Sequence, residues 1–235
     1  MYFVLYILIS DVMIKAILFD LDNTLIDFMK MKKKSTDAAL SAMIKAGLNI
    51  DKKGGWQLLE KLFRKHGIEY QQIFNEFLTE TLGYVDLKIL AAAVVEYRRI
   101  KGDLLQPYTN VKPVLKKLKK KGYKLGIVTD APKFQAWTRL YEMKLEKYFD
   151  VVVALDDSGS LKHTGLPFER AIDMLNVKSG EIVMVGDWIS RDIIPANKLG
   201  IKTVLAKYGQ SWQAKMENFQ ADYEINDISE LLKIL

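Results

Sequence analysis

The 235-residue sequence has no cysteine, only two histidines and five prolines. Without cysteine there is no disulfide framework, no thiolate zinc site and no cysteine nucleophile, and the chain suits a reducing, cytoplasmic setting. The two histidines, His66 and His163, read as structural or exposed side chains and not as catalytic ones. Long hydrophobic runs are missing too. A membrane-spanning helix needs about 20 consecutive apolar residues, whereas the apolar start at residues 1–9 ends at Ser10 and Asp11. That start lacks the positive charge and small-residue cleavage site of a secretory signal. It reads as an extra strand, or as an extension upstream of a natural start at Met13, with no membrane role. Internal repeats and low-complexity linkers are also absent.

What is present is ordinary for a globular protein: 49% hydrophobic and 27% charged residues, which excludes wholesale disorder. A chain of this size buries roughly 70–75% of its unfolded surface, so it needs no staples. The net charge of +6 is a modest bias and does not point to nucleic acid. In the basic run at residues 116–121, Leu118 keeps an apolar helical face, and the lysines occupy the solvated side and the last turn. Lys32, Lys33 and Lys34 read as a solvated face as well, with attraction of phosphate as the alternative.

Apolar, β-branched stretches of strand length recur at residues 14–19, 123–128, 151–155, 182–185 and 203–205. Helical periodicity fills the intervals, most clearly at 109–121, where Pro113 sits in the first turn and Gly122 acts as the stop. This alternation predicts an α/β fold with a mostly parallel sheet covered on both faces. Residues 28–106 break it. Helical patterns at 32–46, 56–65, 70–81 and 86–101 predict a four-helix insertion directly after the first strand, with Pro107 marking the return. The predicted division is a core of residues 1–27 and 107–235 and an inserted helical domain of residues 28–106.

Four short constellations carry the chemistry: Asp20-Leu21-Asp22-Asn23-Thr24; Thr129-Asp130 after an apolar strand; Lys162; and Gly186-Asp187 with Asp192. Each is weak alone, since two carboxylates at i and i+2 often make only a capped turn. In a doubly wound sheet, however, the loops at the carboxyl ends of the strands converge on one crevice. Several carboxylates gathered there repel one another unless a cation joins them, and oxygen donors without cysteine or a nearby histidine favour a hard ion, Mg²⁺ above all. Lys162, the Thr129 hydroxyl and backbone amides after Asp20 and near Asp130 are suitable partners for a phosphoryl dianion.

These residues resemble the motifs of the haloacid dehalogenase-like hydrolases. The segment 20–24 is similar to the first motif, Thr129 to the second, Lys162 to the third, and Gly186-Asp187 with Asp192 to the fourth. One departure is His163, where many relatives have proline after the lysine; the register nevertheless holds through Phe168. The resemblance spans residues 14–205 and implies a Rossmann-like core with an α-helical cap inserted after the first motif.

The resemblance further implies a Mg²⁺-dependent phosphatase working through an aspartyl-phosphate. Enzymes accelerate phosphate-monoester hydrolysis by as much as about 10²¹-fold. Asp20 would be the nucleophile, and Asp22 the acid that protonates the leaving group and then the base that activates water. Lys162 would offset charge at the nucleophile. Thr129 and the amides at Leu21 and Asp130 would hold the phosphoryl oxygens. The metal would be held by Asp20, the Asp22 carbonyl and Asp187, with Asp192 in support. The second acid, Asp22, separates phosphatases from the dehalogenases of the family, which lack it. The implied partner is a small phosphorylated metabolite such as glyceraldehyde 3-phosphate or phosphoglycolate, handled by a monomer or homodimer that binds neither nucleic acid nor membrane. Alternatives are a phosphomutase or phosphotransferase, and a non-catalytic regulatory protein on the same fold.

Overall fold

The computed structural model describes residues 13–209 and 220–235; the apolar segment 1–12 discussed above lies outside them. The chain divides into two compact units. One comprises the described parts of Met1–Asp20, Asn110–Asp130 and Lys147–Leu235, and the other comprises Leu21–Thr109 and Ala131–Glu146. The helices are α1 (Phe28–Lys45), α2 (Lys52–His66), α3 (Ile73–Leu82), α4 (Leu87–Leu104), α5 (Val111–Lys120), α6 (Lys133–Met143), α7 (Leu155–Ser158), α8 (Leu166–Leu175), α9 (Ile194–Lys198) and α10 (Leu231–Ile234), with short 3₁₀ turns between some of them. No described helix is long and apolar enough to cross a membrane.

The first unit is built on a sheet of β1 (Ala16–Phe19), β2 (Lys124–Val128), β3 (Val151–Val153), β4 (Ile182–Gly186), β5 (Lys202–Ala206) and β6 (Tyr223–Ile225). Their order is β3-β2-β1-β4-β5-β6, and every pairing is parallel. The central strands are apolar throughout because both faces of a parallel sheet are covered; β1 and β4 are buried along their whole length. Phe168 of α8 packs into a core with Leu18, Val128, Val153 and Met184. The edge strand β6 lies outside the five strands expected from the sequence. It is three residues long and its first two residues are exposed, so it carries no apolar run. Its register is fixed instead by Asp222, whose carboxylate accepts hydrogen bonds from the Thr203 backbone N–H at 2.7 Å and hydroxyl at 2.8 Å.

The second unit consists of α1 to α4 and α6. Three of these helices begin at an aspartate whose carboxylate satisfies otherwise unpaired N–H groups of the first turn. Asp27 accepts from Lys30, Asp51 from Gly54, and Asp86 from Lys88 and Ile89, at 2.9 to 3.1 Å. Leu40, Met43, Leu59, Leu62, Phe77 and Leu78 form its own buried core. This unit thus has an interior of its own.

Candidate active site

In a sheet of this order the direction of winding reverses between β1 and β4, and the crevice opens at the carboxyl ends of those strands. Asp20 directly follows β1 and Asp187 directly follows β4. The Asp20 backbone N–H still donates to the Val185 carbonyl at 2.9 Å, so the strand pairing fixes where the carboxylate emerges. Thr129 follows β2, and its N–H donates to the Val153 carbonyl at 3.0 Å. All three residues are buried.

Lys162 lies in a one-turn 3₁₀ segment (Lys162–Thr164) ahead of α8. The Asp130 carboxylate anchors this turn by accepting the Lys162 backbone N–H at 2.8 Å, and it also pairs with Arg191 at 3.3 Å. The exposed His163 side chain leaves Lys162 itself buried, so the replacement of proline does not displace the lysine. Lys162 Nζ donates to Asp20 Oδ1 and to Asp192 Oδ1, each at 2.5 Å.

Asp192 is placed by a π-helical turn, Ile189–Ile193, that follows Trp188. Single π turns of this kind re-aim side chains at functional sites. The Asp192 side chain is fully buried, and its Oδ2 accepts the Trp188 N–H at 2.9 Å. This placement depends on Gly186, because a Cβ there would stand 2.5 Å from Asp192 Cβ and Cγ.

One carboxylate oxygen each from Asp20, Asp187 and Asp192 lies within 4.8 Å of the others. Burial and then the charges of Asp20 and Asp192 push Asp187 up to about 9. Burial also raises Asp192, to about 7, with Asp20 adding to the rise and Lys162 opposing it. Burial works against charge on Lys162, but Asp192, Asp20 and Asp130 outweigh it and hold the ammonium above its ordinary pKa. With all three ionised, the carboxylates would outnumber the one ammonium, and burial resists that state by raising Asp187 and Asp192. The donors are all hard oxygens, so the set fits a hard divalent cation.

Asp22 belongs to the helical unit and takes part in a separate network. Asn23, in the left-handed region at φ +64°, turns the chain after it, and its side-chain oxygen accepts the Met29 N–H at 3.1 Å. Arg139 of α6 donates to Asp22 Oδ2 at 2.7 Å and to Glu69 Oε1, and its guanidinium stacks 4.4 Å from the Phe28 ring centroid. Burial opposes charge on Arg139, but Asp22 and Glu69 prevail and hold it firmly protonated. Sequence reasoning missed both Arg139 and Glu69, as well as the anchoring role of the Asp130 carboxylate. Arg139 did carry a signal: it lies on the buried face of α6 with Ala136, Leu140 and Met143, where an unpaired cation would not be tolerated.

The family model described as haloacid dehalogenase-like hydrolase matches residues 17–206. A glyceraldehyde 3-phosphate phosphatase of Methanocaldococcus jannaschii is 34% identical over 95% of this chain and 97% of its own. One of the same name from Pyrococcus furiosus is 33% identical over 94% of this chain and 93% of its own. Among solved structures, a HAD phosphatase from Thermococcus onnurineus matches with a TM-score of 0.69 and 30% identity, covering 94% of this chain and 97% of that one. The chain belongs to the haloacid dehalogenase-like hydrolase family.

Proposed function

We propose that the protein is a Mg²⁺-dependent phosphatase that hydrolyses small phosphorylated metabolites through an aspartyl-phosphate on Asp20. The observation that carries this reading is the buried convergence of Asp20, Asp187 and Asp192 on Lys162 at the winding reversal of the sheet. The names of the full-length relatives support the phosphatase chemistry and suggest glyceraldehyde 3-phosphate as the first substrate to test. The insertion at residues 28–106 acts in this proposal as a cap that senses the organic part of the substrate. The proposed setting is the cytoplasm.

Asp20, Asp187, Asp192 and the backbone carbonyl of Asp22 are the proposed metal holders. Bound Mg²⁺ supplies positive charge that offsets repulsion between nucleophile and phosphoryl group and orients the phosphoryl oxygens. Asp20 attacks phosphorus in line, forming a new P–O bond as the ester P–O bond breaks and the electron pair leaves with the alcohol oxygen. Asp22 delivers the proton that this oxygen requires. Asp22 then takes a proton from water, whose oxygen attacks phosphorus; the P–O bond to Asp20 breaks and inorganic phosphate is released. Lys162 holds the Asp20 carboxylate in place and balances its charge. Thr129 and the amides of Leu21 and Asp130 bind the equatorial oxygens as charge redistributes.

A panel of phosphate esters with Mg²⁺, wild type beside Asp20→Asn, tests the proposal. Wild type should release phosphate, and Asp20→Asn should lose roughly 10³-fold or more in kcat while unfolding at the same temperature. Halide release from haloacids without phosphate release from any ester would overturn it. Isomerised sugar phosphate formed without free phosphate would establish the mutase alternative.

A further inference from the structure

Asp20, Thr129 and Asp187 each follow a strand directly, so the sheet itself fixes where they stand. Lys162 and Asp192 have no such support. Lys162 heads a 3₁₀ turn of three residues, and Asp192 sits in a π turn of five. Such turns are short, and their hydrogen bonding is poorer than that of an α-helix, so the two side chains need a hold from outside their own segments. Asp130 provides one. It comes directly after Thr129, whose N–H donates to the Val153 carbonyl at 3.0 Å, and so takes its own place from the sheet.

The two oxygens of Asp130 go to different turns. Oδ1 accepts the Lys162 backbone N–H at 2.8 Å, and Oδ2 accepts Arg191 Nη1 at 3.3 Å. Arg191 directly precedes Asp192, and its guanidinium carbon lies 4.1 Å from the Trp188 ring centroid. The Trp188 N–H in turn donates to Asp192 Oδ2 at 2.9 Å. Since Lys162 Nζ reaches Asp192 Oδ1 at 2.5 Å, the contacts close a ring that runs from Asp130 through Lys162, Asp192 and Arg191 back to Asp130. The Asp130 side chain is 13% exposed and that of Arg191 40%, so the pair is less screened than the fully exposed pairs that contribute little. This carboxylate is unsuited to touching phosphate, because two anions repel and both of its oxygens already have donors. Its role is therefore separate from that of the Asp130 backbone amide.

We infer that the Asp130 carboxylate and the Arg191 guanidinium form a clamp that positions Lys162 and Asp192 against Asp20. Both are positioning residues and touch no reacting atom. The inference rests on the proposed phosphatase reading and deepens it, since it gives one side chain joint control of the lysine and of a metal-holding acid. Removing a partner one step away from a metal typically costs about 10–100-fold in affinity or activity. A misplacement of about 1 Å at reacting groups can cost about 100-fold in rate.

Calorimetric titration with Mg²⁺ in the absence of substrate, together with steady-state kinetics on the full chain, tests the clamp. Asp130→Ala breaks both arms. It should bind Mg²⁺ about tenfold more weakly and lose roughly 100-fold in kcat, while KM for the ester changes by less than about threefold. Asp130→Asn keeps an acceptor for the Lys162 N–H and should recover most of the loss in kcat. Arg191→Met breaks only the arm to the π turn, so it should weaken Mg²⁺ binding as much as Asp130→Ala does, with a smaller loss in kcat. Arg191→Lys, which keeps the charge, should restore part of the affinity. Because the two residues act on Asp192 through one contact, the double variant Asp130→Ala/Arg191→Met should bind Mg²⁺ no more weakly than Asp130→Ala alone. Variants that melt at a lower temperature but keep wild-type Mg²⁺ affinity and kcat would reduce the pair to a structural salt bridge and overturn the inference. Additive losses in the double variant would overturn it too. So would a raised KM in Arg191→Met with unchanged Mg²⁺ binding, which would put Arg191 on the substrate. If wild type hydrolyses no ester while Mg²⁺ binding follows the expected pattern, the phosphatase proposal falls and the clamp stands. Absence of Mg²⁺ binding by wild type would overturn both.

Discussion

The two units bury charge in opposite ways. In the sheet unit, Asp20 and Asp192 pair with Lys162 beside Asp187, and full ionisation of the three carboxylates would leave negative charge in excess. In the helical unit, Arg139 pairs with both Asp22 and Glu69, whereas Lys32 stands over the Phe63 and Tyr97 rings and forms no ion pair among the described residues. The first arrangement calls for a cation from outside, whereas in the second Arg139 already answers both carboxylates. Net charge in a buried cluster thus indicates which kind of ligand would relieve it, before any substrate is known.

The largest effect expected from this contrast is on the carboxylate set. Chelation should abolish turnover, and Mg²⁺ should restore it. The metal-free protein should also show a distinctive pH dependence. Asp187 and Asp192 have raised pKa values in the folded state, about 9 and about 7, so the folded chain binds their protons more tightly than the unfolded chain does. Stability then falls as pH rises from the ordinary carboxylate range, about 4, through 7 toward 9. Thermal unfolding with EDTA should show a melting temperature that declines across this window, and Mg²⁺ should flatten the decline. A metal-free melting temperature that rises over the same range would contradict the assignment.

Next in size is the balanced network. Arg139→Met leaves Asp22 and Glu69 without their buried partner, so urea unfolding should show a loss of about 3–5 kcal/mol. Lys32→Met, by contrast, should cost nothing. Equal destabilisation by both substitutions would break the distinction between a paired and an unpaired buried cation. A smaller effect is expected from Gly186→Ala, whose new methyl meets Asp192 at 2.5 Å. It should destabilise by about 1–3 kcal/mol, and it should weaken activation by Mg²⁺, read as a rise in the Mg²⁺ concentration needed for half-maximal rate.

The two regions also differ in how much of them can be read from sequence. Each central strand is a short apolar run, and Asp20, Thr129 and Asp187 each follow one, so strand position already says where these side chains emerge. The edge strand β6 has no such run, being held by Asp222 and Thr203. Lys162 could be found only by resemblance to a motif, because its place depends on the Asp130 carboxylate, 32 residues away in sequence. The helical unit was legible as helices, yet its buried charges were not. Lys32 sits in a run of lysines that look alike until the phase of α1 is known, and Glu69 and Arg139 are 70 residues apart with no motif joining them. Pairings of that kind are set by packing, and packing leaves little trace in local pattern.

The central claim is that Asp20 carries the phosphoryl group during turnover. Mixing the protein with Mg²⁺ and a labelled phosphate ester, quenching in acid and mapping the label by mass spectrometry tests this directly. The account predicts phosphoryl label on the peptide containing Asp20 and none on Asp20→Asn. Label on a different residue, or undiminished turnover by Asp20→Asn, would contradict it.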